Sequence, residues 1–180
     1  LEPLIEAISS DIGNFDVPIA LFGHCMGALV AFELARHLRR QGCEPIHLVV
    51  SALPAPRYLG QMAALHRLPL REFVAALRWF GGIPDERSQH PEFLAALLPT
   101  MRADFEMCET YRYRREPPLR CPIFAYGGRR DSRAPSHLMP TWRAETSGKF
   151  AARFFPGGHF FIDSARTAVL SALSVDLLGT

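Results

Sequence analysis

The chain has 180 residues, the size of one ordinary domain or at most two small ones. Apolar residues make up 48% of it and charged residues 21%, which is typical of globular proteins and excludes a fibrous or disordered chain. The formal net charge of +2 is too small to indicate a nucleic-acid partner. No apolar run reaches the ~18 residues of a membrane helix, and the first residues lack a signal-peptide layout. We therefore expect a cytoplasmic protein without an export signal or a membrane partner.

The four cysteines predict neither a metal centre nor a disulfide framework. Neighbouring cysteines lie 18, 65 and 13 positions apart, and the sequence has no Cys-x-x-Cys pair. This spacing suits neither zinc nor a recognisable set of disulfides, so we expect reduced thiols and no bound metal. The cysteines are Cys25, Cys43, Cys108 and Cys121.

The first part of the chain alternates between helical and extended patterns. Residues 1–13 carry apolar side chains on one helical face, and a short apolar run at 18–22 predicts a buried strand. A second helix is expected over 27–38 and a second buried strand over 46–52. Helices and strands that alternate with short connections are typical of a parallel sheet covered by helices.

The middle of the chain interrupts this alternation. Residues 57–116 contain no convincing strand but have helical patterns at 59–66, 70–80 and 90–113. A helical insertion between the strands of an α/β sheet often covers an active site, so we interpret this region as a lid. The alternative is a group of extra helices that only pack against the core.

Strands and helices alternate again after the lid. Apolar runs predict strands at 122–127 and 150–155. Helices are expected at 135–146 and 163–178. These elements extend the predicted parallel sheet.

The predicted elements belong to a single domain. No internal repeat, low-complexity tract or linker interrupts the sequence. We expect residues 1–180 to form one α/β domain, with a core made of 1–56 and 117–180 and a lid over about 57–116.

The most informative motif is Gly23-His24-Cys25-Met26-Gly27, between a predicted strand and a predicted helix. It has the form of the G-x-S-x-G nucleophile turn, with cysteine in the serine position. A nucleophile in so tight a turn has a strained backbone, and we expect glycines on both sides because side chains there would clash. The turn also puts Cys25 at a helix N-terminus, where the amide of Met26 would stabilise a developing oxyanion. The alternative is a buried structural cysteine.

An activated nucleophile needs a base, and the base needs an acid. His159 and Asp131 each follow a predicted strand through a glycine-containing loop. Loops at the C-terminal ends of parallel strands are where such sheets place their chemistry, and the chain order nucleophile, acid, histidine suits this turn. Asp104 and Asp163 are weaker candidates for the acid. We expect His24 to pack or to give polar support, because neighbours in such a turn point in different directions.

These motifs resemble those of type II, or editing, thioesterases of polyketide and non-ribosomal peptide pathways, within the α/β-hydrolase superfamily. The matching segments are ALFGHCMGALVAFELARHL (20–38), LPTMRADFEMCETYRY (98–113), CPIFAYGGRRD (121–131) and PGGHFF (156–161). The second segment is the most specific, because general α/β hydrolases share the nucleophile turn but not this lid pattern. The resemblance implies the α/β-hydrolase fold, with a mostly parallel sheet, helices on both faces and a helical lid.

The resemblance also implies a reaction. By position in the motifs, Cys25 is the nucleophile, His159 the base and Asp131 the acid that orients the base, and no cofactor is needed. The reaction is hydrolysis of acyl or aminoacyl groups from the phosphopantetheine arm of an acyl or peptidyl carrier protein. Four arginines near the lid are candidates to meet this acidic partner: Arg112, Arg114, Arg115 and Arg120.

The sequence departs from the family pattern in two respects. Family members have N-terminal strands, and a loop with a second oxyanion amide, that have no counterpart here, so we expect a sheet without them. Cysteine stands where serine is usual, and the acyl-enzyme that it forms is itself a thioester. Three interpretations of the cysteine stay open: a working Cys hydrolase, an acyltransferase or cyclase on the same fold, and an engineered replacement of serine. Two further alternatives are a carrier-protein binding module without hydrolytic activity and, if the lid resemblance is accidental, a general esterase or lipase.

Overall fold

The computed structural model describes residues 1–12, 17–61, 63–83, 86 and 90–179. Within these ranges the strands are β1 (Ala20–His24), β2 (His47–Ser51), β3 (Ile123–Gly128) and β4 (Phe150–Phe155). The α-helices are α1 (Glu2–Ile12), α2 (Met26–Arg40), α3 (Leu70–Trp79), α4 (Pro91–Glu109), α5 (Phe161–Ser164) and α6 (Arg166–Leu178). The 3₁₀ segments are Pro56–Gln61, Leu65–Arg67 and Ser136–Glu145.

The described strands form one parallel sheet in the order β1-β2-β3-β4. Ala20 of β1 lies opposite His47 of β2, and Ile123 of β3 lies opposite Phe150 of β4. Parallel neighbours need crossover connections, which are α2, then the lid, then the segment Ser136–Glu145. Because all strands run the same way, the loops that follow β1, β3 and β4 meet at one edge of the sheet.

Both faces of the sheet are covered. Leu48 and Val50 of β2 pack with Phe32 of α2 on one face, while Val49 between them packs with Val169 of α6 on the other. These three residues of β2 are fully buried, as expected for an inner strand that is covered on both faces.

The lid has a small apolar core of its own. Its buried members are Phe73 and Leu77 of α3, Ile83, and Leu98 and Phe105 of α4. The rings of Phe73 and Phe105 meet edge to face, with their centroids 5.7 Å apart. The two lid helices therefore pack against each other, and α4 also reaches the sheet core through Cys108.

The strand predictions agree with the structure to within two residues, whereas two helix predictions were wrong. The region predicted as a helix at 135–146 is a 3₁₀ segment that contains Pro140, which has no N–H to donate inside an α-helix. The pattern at 59–66 is split between two 3₁₀ segments. The expected end of the first helix at residue 13 lies outside the described residues. No helix in the described ranges is long and apolar enough to cross a membrane.

Candidate active site

Cys25 occupies the turn between β1 and α2. Its φ of 53° and ψ of −123° are strained for a residue with a side chain. Its backbone N–H donates to the carbonyl oxygen of Ser51, at the end of β2, over 2.8 Å. The neighbouring strand therefore holds the strained turn in place. The Cys25 side chain is half-buried, at the N-terminus of α2.

The two glycines of the turn have different roles. A Cβ on Gly23 would lie 2.0 Å from the carbonyl oxygen of Gly27, so no side chain fits at this position. A Cβ on Gly27 would meet nothing within 4 Å. The prediction that both positions exclude a side chain is right for Gly23 and wrong for Gly27, because the close approach involves only the backbone of Gly27.

The structure brings His159 and Asp131 together as a buried pair. Nδ1 of His159 lies 2.9 Å from Oδ2 of Asp131, and both side chains are at most 2% exposed. The other oxygen, Oδ1, accepts backbone hydrogen bonds from Arg133 at 2.8 Å and Ala134 at 2.9 Å. Both carboxylate oxygens of Asp131 therefore have partners, which fixes the carboxylate against the imidazole.

The loops that carry this pair are joined through their backbones. The N–H of Arg130 donates to the carbonyl oxygen of Gly157 over 2.9 Å. A Cβ on Gly128 would lie 2.2 Å from the carbonyl oxygen of Gly158, so the approach of the two loops requires glycine there. The positions of the acid and the histidine therefore depend on backbone contacts between the ends of β3 and β4 and the loops that follow them.

The pKa of His159 is raised to about 9. Burial acts in the opposite direction, but the hydrogen bonds and electrostatic interactions with Asp131 and Cys25 outweigh it. A histidine in contact with a carboxylate on one side and a thiol on the other is suited to accept the thiol proton.

His24, beside the nucleophile, is a half-buried histidine. Its Nδ1 lies 2.8 Å from the Ser51 hydroxyl oxygen, and its ring centroid lies 5.4 Å from that of His159. Burial, helped by the nearby His159 charge, lowers the pKa of His24 to about 4. His24 is therefore a neutral neighbour of the base at pH 7.

The weaker acid candidates lie elsewhere. Asp104 belongs to α4 of the lid. Asp163 forms an ion pair with Arg166 at the surface. Its Oδ1 lies 3.7 Å from Nη2 of Arg166, and the Asp163 side chain is 69% exposed. Of the carboxylates in the described part of the chain, Asp131 is the one bonded to His159.

The other cysteines differ from Cys25 in their surroundings. Cys108 and Cys121 are buried, and burial raises the pKa of each thiol to about 12. Cys43 is exposed at the surface. Among the described residues, no cluster of His, Cys, Asp and Glu has the arrangement of a metal site.

Aromatic rings surround the imidazole of His159. The ring of Phe160 meets it edge to face at 5.1 Å between centroids, and Phe80, just after α3 of the lid, lies 5.9 Å away. Phe80 also lies 5.9 Å from Phe105 of the lid core. The lid thus reaches the candidate site through Phe80. Phe160 lies within the segment PGGHFF, but no pattern in the sequence marks it as a contact of His159.

The predicted cationic patch lies between α4 and β3, and its four arginines are exposed. Two of them have acidic neighbours on the chain itself. Arg120 pairs with Glu44 at 3.0 Å, and Arg114 lies 3.7 Å from Glu2. The patch is accessible but partly neutralised.

Comparisons with known proteins agree with this geometry. The family model of the thioesterase domain matches residues 4–177. The gramicidin S biosynthesis protein GrsT of Aneurinibacillus migulanus is 35% identical over 179 residues, 98% of this chain and 70% of that protein. The RedJ thioesterase of the prodiginine pathway in Streptomyces coelicolor superposes with a TM-score of 0.88 at 36% identity, over 97% of this chain and 68% of that one.

A further solved structure has the same architecture. The type II thioesterase BorB of the borrelidin cluster gives a TM-score of 0.84 at 37% identity, over 96% of this chain and 69% of that one. The predicted α/β-hydrolase fold and the resemblance to type II thioesterases are thereby confirmed. The chain belongs to the thioesterase family and is a thioester hydrolase.

Proposed function

We propose that this protein removes acyl or aminoacyl groups from the phosphopantetheine arm of carrier proteins, in an editing role in polyketide or non-ribosomal peptide synthesis. The observation that carries the proposal is the buried Asp131–His159 pair next to Cys25 at the strained turn. The relatives support the pathway, because GrsT is named for gramicidin S biosynthesis and RedJ for the prodiginine pathway.

The proposed first step forms a covalent acyl-enzyme. His159 takes the thiol proton of Cys25, and the sulfur attacks the thioester carbonyl. The Met26 amide, at the N-terminus of α2, donates to the oxyanion. The tetrahedral intermediate collapses, the pantetheine sulfur leaves, and the imidazolium returns a proton to it. Asp131 holds His159 in the required orientation and stabilises its charged form.

The second step returns the enzyme to its starting state. His159 removes a proton from water, the hydroxide attacks the Cys25 thioester, and the free acid leaves as the Cys25 sulfur regains its proton. The balance is one water consumed and one carboxylic acid released. No cofactor takes part.

A carrier protein is the proposed partner because it presents the thioester on a flexible arm. Such proteins are acidic, and the exposed cationic patch Arg112, Arg114, Arg115 and Arg120 offers complementary charge. The contribution of the patch is tested by comparing an acyl-carrier protein with acyl-pantetheine, which lacks the protein surface. Reversing the patch charges is expected to raise KM for the carrier only.

The thiol nucleophile favours a second candidate, acyl transfer. An acyl group on Cys25 stays activated as a thioester, so an amine or alcohol that reaches the site can replace water as the attacking group. The new amide or ester bond then forms as the Cys25–acyl bond breaks. Product analysis with and without an added amine or alcohol separates the two activities.

The test of the main proposal is intact-protein mass spectrometry after mixing with an acyl-carrier protein. We expect transient acylation that maps to Cys25 and accumulation of free acid. Cys25→Ala should show neither, and His159→Ala should slow both by about a thousandfold. A persistent adduct without acid supports transfer, and binding without acylation supports the binding module. Undiminished acid release by Cys25→Ala would refute the proposed nucleophile.

A further inference from the structure

A buried carboxylate connects the lid to the loop of the catalytic acid. Glu109, the last residue of α4, has a side chain that is only 2% exposed. Its Oε1 accepts the N–H of Leu65 at 3.0 Å, and its Oε2 accepts the N–H of His66 at 3.0 Å and lies 2.6 Å from the His66 Nδ1. Glu109 thereby joins α4 to the 3₁₀ segment Leu65–Arg67 of the lid.

The remaining partner of Glu109 comes from outside the lid. Nη2 of Arg133 donates to Oε1 of Glu109 over 2.8 Å, and the Arg133 side chain is only 10% exposed. The guanidinium also lies over the ring of Phe105, 4.9 Å from its centroid. Lid residues therefore contact the Arg133 guanidinium on two sides. Removal of either Arg133 or Glu109 would leave the charge of the other buried without a partner.

Arg133 also contacts the acid directly through its backbone. Its N–H is one of the two donors to Oδ1 of Asp131, at 2.8 Å, while Oδ2 of the same carboxylate lies 2.9 Å from His159. The side chain of Arg133 is therefore bound to the lid, while its backbone N–H is bound to the carboxylate of Asp131. Displacement of the side chain moves the donor that orients the carboxylate, and displacements of about 1 Å in an active site carry large rate penalties.

We propose that Arg133 is a positioning residue, held by Glu109, through which a correctly packed lid aligns Asp131 with His159. This role rests on the proposed triad. In this proposal the lid helps to orient the catalytic acid as well as covering the site. It also assigns a specific role to Glu109, one of the two glutamates in the lid segment LPTMRADFEMCETYRY.

The test measures kcat and KM separately on acyl-pantetheine, which excludes effects on carrier docking. We expect Arg133→Met to lower kcat about tenfold with KM nearly unchanged, and Arg133→Lys to recover part of the loss because a cation remains. Glu109→Gln should lower kcat in the same direction. The double variant should be no worse than Arg133→Met alone, since both changes break the same link.

A pH profile separates positioning from general destabilisation. The titratable groups that face His159 in the described structure are Asp131, Cys25 and His24. Asp131 raises the pKa of His159, so a less firmly held Asp131 should lower it. The acidic limb of kcat, which reports the loss of the proton from His159, then moves to lower pH in Arg133→Met.

Arg102→Met is the matched control. Arg102 lies over Phe73 at 4.3 Å and donates to the carbonyl oxygens of His66 and, at 3.0 Å, of Leu68, so it stabilises the lid through contacts that leave the Glu109–Arg133 pair intact. Its loss should lower the Tm and leave the acidic limb in place.

The inference is overturned if Arg133→Met keeps the wild-type kcat, or if its acidic limb matches that of Arg102→Met. Asp131→Asn in the same assay tests the proposed triad itself. Wild-type activity in Asp131→Asn would refute the proposed function, and not only the role of Arg133.

Discussion

The sheet core and the lid reach the candidate site by different means. In the core, the positions are set by backbone contacts: the N–H of Cys25 donates to the carbonyl oxygen of Ser51, and that of Arg130 donates to the carbonyl oxygen of Gly157. In the lid, the contacts are made by side chains, namely Phe80 beside His159 and Glu109 with Arg133.

This difference predicts how each region responds to substitution. A backbone contact has no side chain to adjust, so a group inserted at a close approach has to move the strand or loop itself. A side-chain contact between ring and ring, or between acid and guanidinium, can be weakened without changing the path of the chain. Substitutions at a close backbone approach in the core should therefore act in an all-or-none way, and those at the side-chain contacts of the lid should act by degrees.

Among the substitutions that compare the core with the lid, Gly23→Ala is expected to have the largest effect. The added Cβ would lie 2.0 Å from a backbone oxygen of Gly27, so the nucleophile turn has to shift. We expect the free energy of unfolding to fall by about 3 kcal/mol or more, and kcat to fall by about a hundredfold in any protein that folds. Urea unfolding and hydrolysis of acyl-pantetheine measure the two effects.

Gly27→Ala is the control for the same turn. Its Cβ meets open space within α2, where alanine is a better helix former than glycine, so stability should rise by up to about 1 kcal/mol. An equal loss of stability and kcat in both variants would contradict the expectation that a side chain fits at Gly27 but not at Gly23.

A smaller, graded effect is expected from Phe80→Ala in the lid. The ring contacts the imidazole of His159 and the ring of Phe105, each at 5.9 Å between centroids. Its loss should lower the free energy of unfolding by about 1 to 2 kcal/mol and kcat severalfold, because the imidazole loses one of the rings that confine it.

Trp79→Ala is the matched substitution one residue earlier. The Trp79 side chain belongs to α3 but is 74% exposed, so its removal should change neither quantity on acyl-pantetheine. A loss of activity in Phe80→Ala as complete as that in Gly23→Ala would break the distinction between core and lid.

The same distinction explains what the sequence revealed. Short apolar runs predicted the strands because strands covered on both faces are apolar throughout, and the pairing of His159 with Asp131 was predicted from loops at the same sheet edge. The link between Glu109 and Arg133 joins positions 24 apart through the docking of the lid, and no local pattern carries that information. The α-helix predicted at 135–146 was wrong because the segment is a 3₁₀ helix that contains Pro140, a residue without an N–H to donate.

The narrowest effect, confined to stability at acid pH, concerns His24, a core residue whose contribution to stability should depend on pH. Burial lowers its pKa to about 4, against 6.5 in the unfolded chain, so the unfolded state binds the proton more readily. Stability from the neutral form is therefore present above pH 6.5 and is lost as the pH falls towards 4. In His24→Asn, the amide can still bond with the Ser51 hydroxyl but does not titrate. We expect the wild type to lose about 1 to 2 kcal/mol more than the variant between pH 7 and pH 5.

Urea unfolding at the two pH values checks this expectation. His159 does not obscure the comparison, because its pKa is raised to about 9, so its stabilisation is complete below pH 6.5 and is lost as the pH rises through 9. That contribution is present in wild type and variant alike and cancels in the difference between them. Equal losses in both proteins would mean that His24 binds a proton as easily in the folded state as in the unfolded one. The backbone of the core would then leave the histidine more room, and more water, than its buried contacts indicate.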